Sequence, residues 1–265
     1  MKRAMSSIII LFFLIVSAQA RRPIERVDPV RVRIISDSGT EYPLYGTHPR
    51  GAPTGSYYYM EAVKGERYSI EVTNLTGRRV AVVIAVDGRN IISGDKSHLR
   101  NSERMYVIAP HTTNTFEGWR TGMTRTNRFY FTNQNDSYAE RVFKDASAMG
   151  TIAVAVYMEK VRRPVPITPL DDRKSASRPA KKRSRPSGES CDTMGEQAGT
   201  GFGETVWSPA REVSFEAEHA MARKIVMKYE WREQLCRRGV VSCDPPNRFW
   251  PVSHGFAPIP RDFNE

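Results

Sequence analysis

A chain of 265 residues is long enough for one large domain, or for one domain and an appendage; its 40% hydrophobic content supplies a core, and 26% charged residues is ordinary for a soluble protein. The formal net charge of +11 suggests a nucleic-acid partner until it is located: residues 161–190 carry nine Lys/Arg against three Asp/Glu, and Lys2 and Arg3 add two more. The basic character thus belongs mainly to a segment between modules, which argues against a basic folded face and against nucleic acid as a partner.

At the N-terminus, Lys2 and Arg3 precede the nine-residue apolar run Ile8–Val16, and Ser17-Ala18-Gln19-Ala20 supplies the small-x-small pattern that a signal peptidase needs. The run is too short to span a bilayer, which takes about 20 residues. The pattern predicts a signal peptide over 1–20 and a mature protein that starts near Arg21 and works in the periplasm or outside the cell. No Cys follows Ala20, so a lipid anchor is not indicated. Residues 21–29, charged and proline-bearing, read as a flexible N-terminal segment.

A β domain is predicted over 30–160. Val30-Arg31-Val32-Arg33-Ile34 alternates apolar and basic, the mark of a half-buried strand. Residues 37–56 form a loop with a short strand at Tyr42–Tyr45, and Tyr57–Val63 is the next strand. Lys64-Gly65-Glu66 turns into Arg67–Thr73, where Tyr68, Ile70 and Val72 share one face. Asn74–Gly77 then turns into Val80–Val86, a run apolar on both faces and so read as a central strand covered from both sides. Asp87-Gly88 folds the segment near Asn90–Ile92 back as a hairpin. Turns this short predict that the three strands ending at Val86 form an antiparallel meander.

Beyond the polar loop Ser93–Glu103, Met105–Ala109 is a strand ended by Pro110, Thr113–Phe116 a short strand closed by Gly118-Trp119-Arg120, and Asn127–Thr132 a strand with Phe129 and Phe131 on one face. Asp136–Lys144 has a helical pattern with Asp136 as its N-cap. Thr151–Met158 sets alanines opposite branched residues, a pattern for close packing on both sides. Eight or nine short strands and almost no helix make the fold class all-β: an antiparallel sandwich or a jelly-roll-like barrel.

Residues 161–198 interleave Pro, Ser and basic residues and are too poor in apolar groups to offset ordering entropy, so they read as a disordered linker. The C-terminal part, 199–265, holds a glycine-rich turn at Gly199–Gly203, strand candidates at Glu212–Glu216 and Lys224–Trp231, and a short helix over Trp231–Arg238 ended by Gly239. Two strands and a helical turn are marginal alone, so this β-rich extension is expected to dock on the first domain or on another subunit. From Asp244 a proline-punctuated aromatic tail follows.

Several stretches resemble those of a family of uncharacterised secreted bacterial proteins. They are Ala81–Asn90 with Ser93-Gly94; Tyr106–Pro110 leading to Gly118-Trp119-Arg120; Phe129-Tyr130-Phe131 with Asp136–Ala139; Gly150–Val156; and Gly199–Gly203 with Tyr229-Glu230-Trp231-Arg232. The chain departs from the family pattern at Phe202, where a histidine is usual, and at Tyr229-Glu230-Trp231, in place of Tyr-Asp-Ser. The resemblance implies an exported β-sandwich whose two parts evolved as one unit, and it implies no chemistry.

Residue chemistry adds little to that. The five histidines sit at no ligand spacing, and Asp87, Asn90 and Asp95 lack the glycine and acidic spacing of a calcium loop, so no metal is expected. Gly199–Gly203 is neither a phosphate loop nor a dinucleotide fingerprint, and no cofactor is indicated. Of three cysteines, Cys236 and Cys243 suit a small disulfide loop in an oxidising compartment, with Cys191 left over or pairing with one of them. Tyr57, Tyr58, Trp119, Arg120 and Trp207 are the candidate ligand-binding residues, since a sandwich can present loop aromatics to a polysaccharide or peptide. The expectation is a non-enzymatic envelope or extracellular module that mediates binding or assembly, its partner a polymer, glycan or protein, with weak attraction of the linker to anionic surfaces. The alternatives are a secreted hydrolase of glycan or peptide and a self-associating structural or filament subunit.

Overall fold

A computed structural model of the chain describes residues 28–161 and 197–243. The stretch 1–20 read as a signal peptide, most of the segment before β1, Cys191, the body of the basic segment and the tail from Asp244 lie outside the described residues. Fourteen strands and two short helices follow in chain order: β1 (Val30–Ser36), β2 (Tyr45–Thr47), β3 (Ser56–Ala62), β4 (Arg67–Asn74), β5 (Val80–Val86), β6 (Arg89–Asn90), β7 (Tyr106–Ile108), β8 (Thr113–Phe116), β9 (Gly118–Gly122), β10 (Arg125–Asn133), α1 (Tyr138–Phe143), β11 (Thr151–Met158), β12 (Ala198–Thr200), β13 (Thr205–Trp207), β14 (Arg223–Trp231) and α2 (Arg232–Arg237).

They form an all-β sandwich of two sheets. One runs β1-β4-β10-β12, with β8 beside β4 and with β9 and β13 beside β10; the other runs β2-β3-β14-β11-β5-β6, with β7 beside β5. The alternation read from the sequence drives the packing. Val30, Val32 and Ile34 of β1 and Tyr68, Ile70 and Val72 of β4 point inward and share one buried cluster with Val80, Val82, Ile84 and Val86 of β5. Aromatic rings fill its centre: Tyr68 stacks on Phe131 at 4.3 Å and on Phe129 at 5.3 Å, and Trp119 meets Phe129 edge-on at 5.3 Å.

All seven residues of β5 are buried. Its second face is covered not by another sheet but by loops: Val83 clusters with Ala155 and Tyr157 beneath Leu99, Met105 and Ala217. The Tyr157 hydroxyl donates to the Leu99 carbonyl at 2.5 Å and fastens that cover. The hairpin after β5 forms as its sequence dictates. Asp87 and Gly88 both take the left-handed conformation, φ +48° and +77°, which a two-residue turn between twisted strands requires.

The expected meander does not form. β3 and β5 lie in one sheet and β4 in the other, so each short turn carries the chain across the sandwich instead of back along a neighbour. The inference failed because a few residues also span the roughly 10 Å between stacked sheets. Nor is pairing antiparallel throughout: β14 runs parallel to β3, from Ile225 opposite Ser56 to Trp231 opposite Ala62.

The docking expected of the C-terminal part takes an intimate form. β14 is an interior strand between β3 and β11, and β12 and β13 both pair with β10. Gly199–Gly203 is extended rather than a turn, with Gly201 and Gly203 N–H donating to Tyr130 and Arg128 carbonyls. Glycine is required there by close approach, since a Cβ on Gly201 would fall 2.1 Å from the Tyr130 ring. No strand forms at Glu212–Glu216, where the chain is irregular and only the neighbouring Ala217 makes an isolated bridge, to Glu159. The helix expected from Asp136 is capped one residue later. Ser137 Oγ accepts from Glu140 N–H at 3.3 Å, while Asp136 belongs to a preceding 3-10 turn. α2 ends before Gly239 (φ +71°), and Cys236 is disulfide-bonded to Cys243.

Val83→Lys tests the loop cover of β5. A charge on the sealed face should cost about 3 kcal/mol or more in chemical denaturation, whereas a loss within about 0.5 kcal/mol would mean that face is open to water.

Candidate binding groove

Two places in the sandwich concentrate polar chemistry. The first is a carboxylate sealed in the core. Asp87 is 1% exposed. Its Oδ1 accepts from Gly150 N–H at 2.8 Å and Tyr229 Oη–H at 2.6 Å, with Thr151 N–H at 3.4 Å, and its Oδ2 accepts from Thr200 N–H at 2.7 Å. Because the single Tyr229 hydroxyl hydrogen goes to Asp87, the neighbouring bonds acquire a direction. Thr200 Oγ1–H donates to Tyr229 Oη at 2.7 Å, and Tyr68 Oη–H donates to Thr200 Oγ1 at 2.8 Å. Burial pushes the Asp87 carboxyl up to about 6, and the donors from Tyr229, Thr200, Gly150 and Thr151, which favour the ionised form, oppose any further rise. Burial likewise raises the Tyr68 and Tyr229 hydroxyls well above their usual value. Perturbed carboxyls often mark reactive sites. This one has no room for a substrate: its partners belong to the β11 and β14 strands, to β12 and to the turn at Gly150, and it acts as a fastening between them.

The second place is a groove of about 860 Å³ along one side of the sandwich. β7 is paired by β5 alone and β8 by β4 alone among the described residues, so each has an unpaired edge, and residues of both strands line the groove. The Tyr106 and Phe116 rings, 4.4 Å apart, bridge the two sheets at its floor. The extended strap 208–215 supplies much of the rest of its lining. Ser208 and Ala210 N–H bind the Thr124 and Met123 carbonyls at one end, and at the other Lys160 N–H binds the Glu216 carbonyl and Glu218 N–H the Met158 carbonyl. Between these anchors, residues 211–215 make no backbone hydrogen bond among the described residues.

Four arginines line the groove, Arg79, Arg104, Arg120 and Arg211, against Glu103 and Glu212. Arg79 is paired by Glu159, and Arg104 lies 3.6 Å from Glu212. Glu103 is spent on its own loop. Part burial works against its charge, but Arg100 N–H (2.9 Å), Ser97 Oγ–H (2.7 Å) and His98 N–H (2.8 Å) hold its carboxyl below the usual value. Among the described residues Arg120 meets only neutral acceptors: Tyr106 Oη at 2.7 Å, the Gly122 carbonyl at 3.1 Å, and the Ser208 carbonyl and Oγ at 2.9 and 3.1 Å.

Of the five residues expected to bind ligand, the structure brings two to this region. Arg120 lines the groove, and Trp207, 73% exposed, immediately precedes Ser208 at the root of the strap. Trp119 is a core residue, 2% exposed, whose indole N–H donates to the Gly201 carbonyl at 2.9 Å, so it offers no ring to a ligand. Tyr57 and Tyr58 are half-buried on β3, four strand spacings or roughly 20 Å from β7. Loop position in the sequence did not separate plugging aromatics from presented ones. Among the described residues no group of three or more His, Cys, Asp or Glu is placed to hold a metal ion. The missed groove residues, Arg79, Arg104 and Arg211, are scattered over the chain; the only local cue was Pro110, which marks β7 as an edge strand.

The buried carboxylate generates a pH prediction. Its folded value near 6 exceeds the ordinary 3.8, so between those limits the native state holds a proton that the unfolded chain has released. Stability should therefore fall as pH rises from about 4 to 6, by up to ~3 kcal/mol, and Asp87→Asn should remove that slope. At pH 7 the Asn variant, which turns an N–H toward donors, should be ~2–4 kcal/mol less stable than wild type. Equal slopes in denaturant titrations of the two proteins would contradict the assignment.

No protein-family model, curated protein or solved structure matches the chain.

Proposed function

We propose that this protein is an exported, non-enzymatic binding module that takes an extended polypeptide segment of a partner into the groove, adding it as a strand to β7 or β8. The observation that carries the reading is that two strands paired on one side only among the described residues, β7 and β8, both line one groove. An unpaired edge offers a row of backbone donors and acceptors at the repeat of a peptide chain, which a peptide satisfies and a glycan does not. The volume suits side chains at alternate positions of such a strand. Export is supported by the charged, apolar and small-residue pattern of residues 1–20 and by the Cys236–Cys243 disulfide, a bond of oxidising compartments.

Hydrogen–deuterium exchange with a neutral, alternating Val/Gln peptide tests this. Binding should slow exchange in residues 106–108 and 113–116. Ala109→Trp, which fills the groove from an exposed position, should weaken binding by about tenfold or more without lowering the melting temperature. Protection confined to other segments, or unchanged binding by Ala109→Trp, would overturn the groove as the site.

A further inference from the structure

We infer that the groove selects an acidic strand: an extended peptide segment of a partner with carboxylates at alternate positions, read by Arg120 and Arg211. The inference rests on the groove reading and adds the chemistry of its occupant. Among the described residues neither arginine has a carboxylate partner. Arg120 has four of its five N–H groups on neutral oxygens, which leaves one donor and a full positive charge uncompensated at half-buried depth. Its guanidinium carbon lies 5.5 Å over the Tyr106 ring, so aromatic surface and charge stand side by side. Arg211 is exposed on the strap that lines the groove together with β7 and β8. The two carboxylates of the lining do not cancel this charge, because Glu103 is turned to its own loop and Glu212 already faces Arg104.

Charge also decides between occupants. A second copy of the exported chain, which carries +11 less the two charges of Lys2 and Arg3, most of it in residues 161–190, is repelled by a basic groove, as is the chain's own segment 161–190 with nine Lys/Arg against three Asp/Glu. A partner strand whose side chains alternate apolar and acidic sets one row on the Tyr106 and Phe116 floor and brings the other to the arginines, while its backbone completes the open edge.

Fluorescence anisotropy on the full chain tests the inference with three labelled peptides of equal length: alternating Val/Glu, Val/Gln and Val/Lys. At about 50 mM salt the Val/Glu peptide should bind roughly tenfold tighter than Val/Gln, with Val/Lys weakest, and the gap should close by about 500 mM as screening takes hold. Arg211→Gln, a change at an exposed position, should cut the ratio of Val/Glu to Val/Gln affinity about threefold, and an unchanged ratio would count against Arg211 as a reader. Equal affinity for Val/Glu and Val/Gln would overturn the acidic preference while the groove reading stands. Failure of all three peptides to bind would overturn both. Displacement of Val/Glu by an oligogalacturonate at lower concentration would replace the peptide with an anionic glycan and overturn the inference.

Discussion

A single buried carboxylate gathers segments that lie far apart in the chain. Asp87 follows directly on β5, yet its donors come from Gly150 and Thr151 at the start of β11, from Thr200 on β12 and from Tyr229 on β14. Sealing an ion in an apolar core is costly, and the cost is tolerable only when donors surround it. That condition is met only when each of these strands sits in one register, because a slip of one residue would turn the Tyr229 side chain to the opposite face and carry the backbone N–H groups of Gly150, Thr151 and Thr200 away from the carboxylate. The hydrogen-bond chain from Tyr68 through Thr200 and Tyr229 carries the same constraint into the facing sheet.

The groove is a consequence of how the sandwich is closed on its other flank. β7 and β8 have only three and four residues, and the chain between them crosses from one sheet to the other. Each sheet thereby contributes to the groove one short strand that pairs on one side only among the described residues. The strap comes from the C-terminal part, so the part of the chain that completes the core also lines the groove. Its anchors are backbone hydrogen bonds at both ends, which fix its position while leaving its middle without ladder partners. Arg120 joins the two halves, reaching from β9 to the Ser208 carbonyl and hydroxyl.

Much of the architecture was legible in the residues, because burial imposes period two on strands such as β1 and β4 and an unbroken apolar run on β5, which is covered on both faces. Val80–Val86, Thr113–Phe116 and Thr151–Met158 read as the strands they form, and Asp87-Gly88 as a hairpin, since few other residue pairs tolerate two consecutive left-handed conformations. Strand partners were not legible. Period two says which face is inward and nothing about which strand lies alongside, so β3, β4 and β5 were joined wrongly and the interior place of β14 was seen only as docking. Gly199–Gly203 misled for a related reason, its glycines answering to the Tyr130 ring and to Ser137, which lie far off in sequence. The groove depends on arginines from four separate segments meeting in space, and no spacing along the chain encodes that.

The central claim is that residues 198–243 belong to the sandwich's core and are not an appended module. A site for a specific protease placed between residues 162 and 190 tests it most directly, since a cut there leaves all three cysteines on one fragment and no disulfide can hold the halves together. The account predicts that the cleaved protein elutes at the intact mass and unfolds in one transition. Separation of the fragments in native buffer, with the N-terminal one still folded, would contradict it.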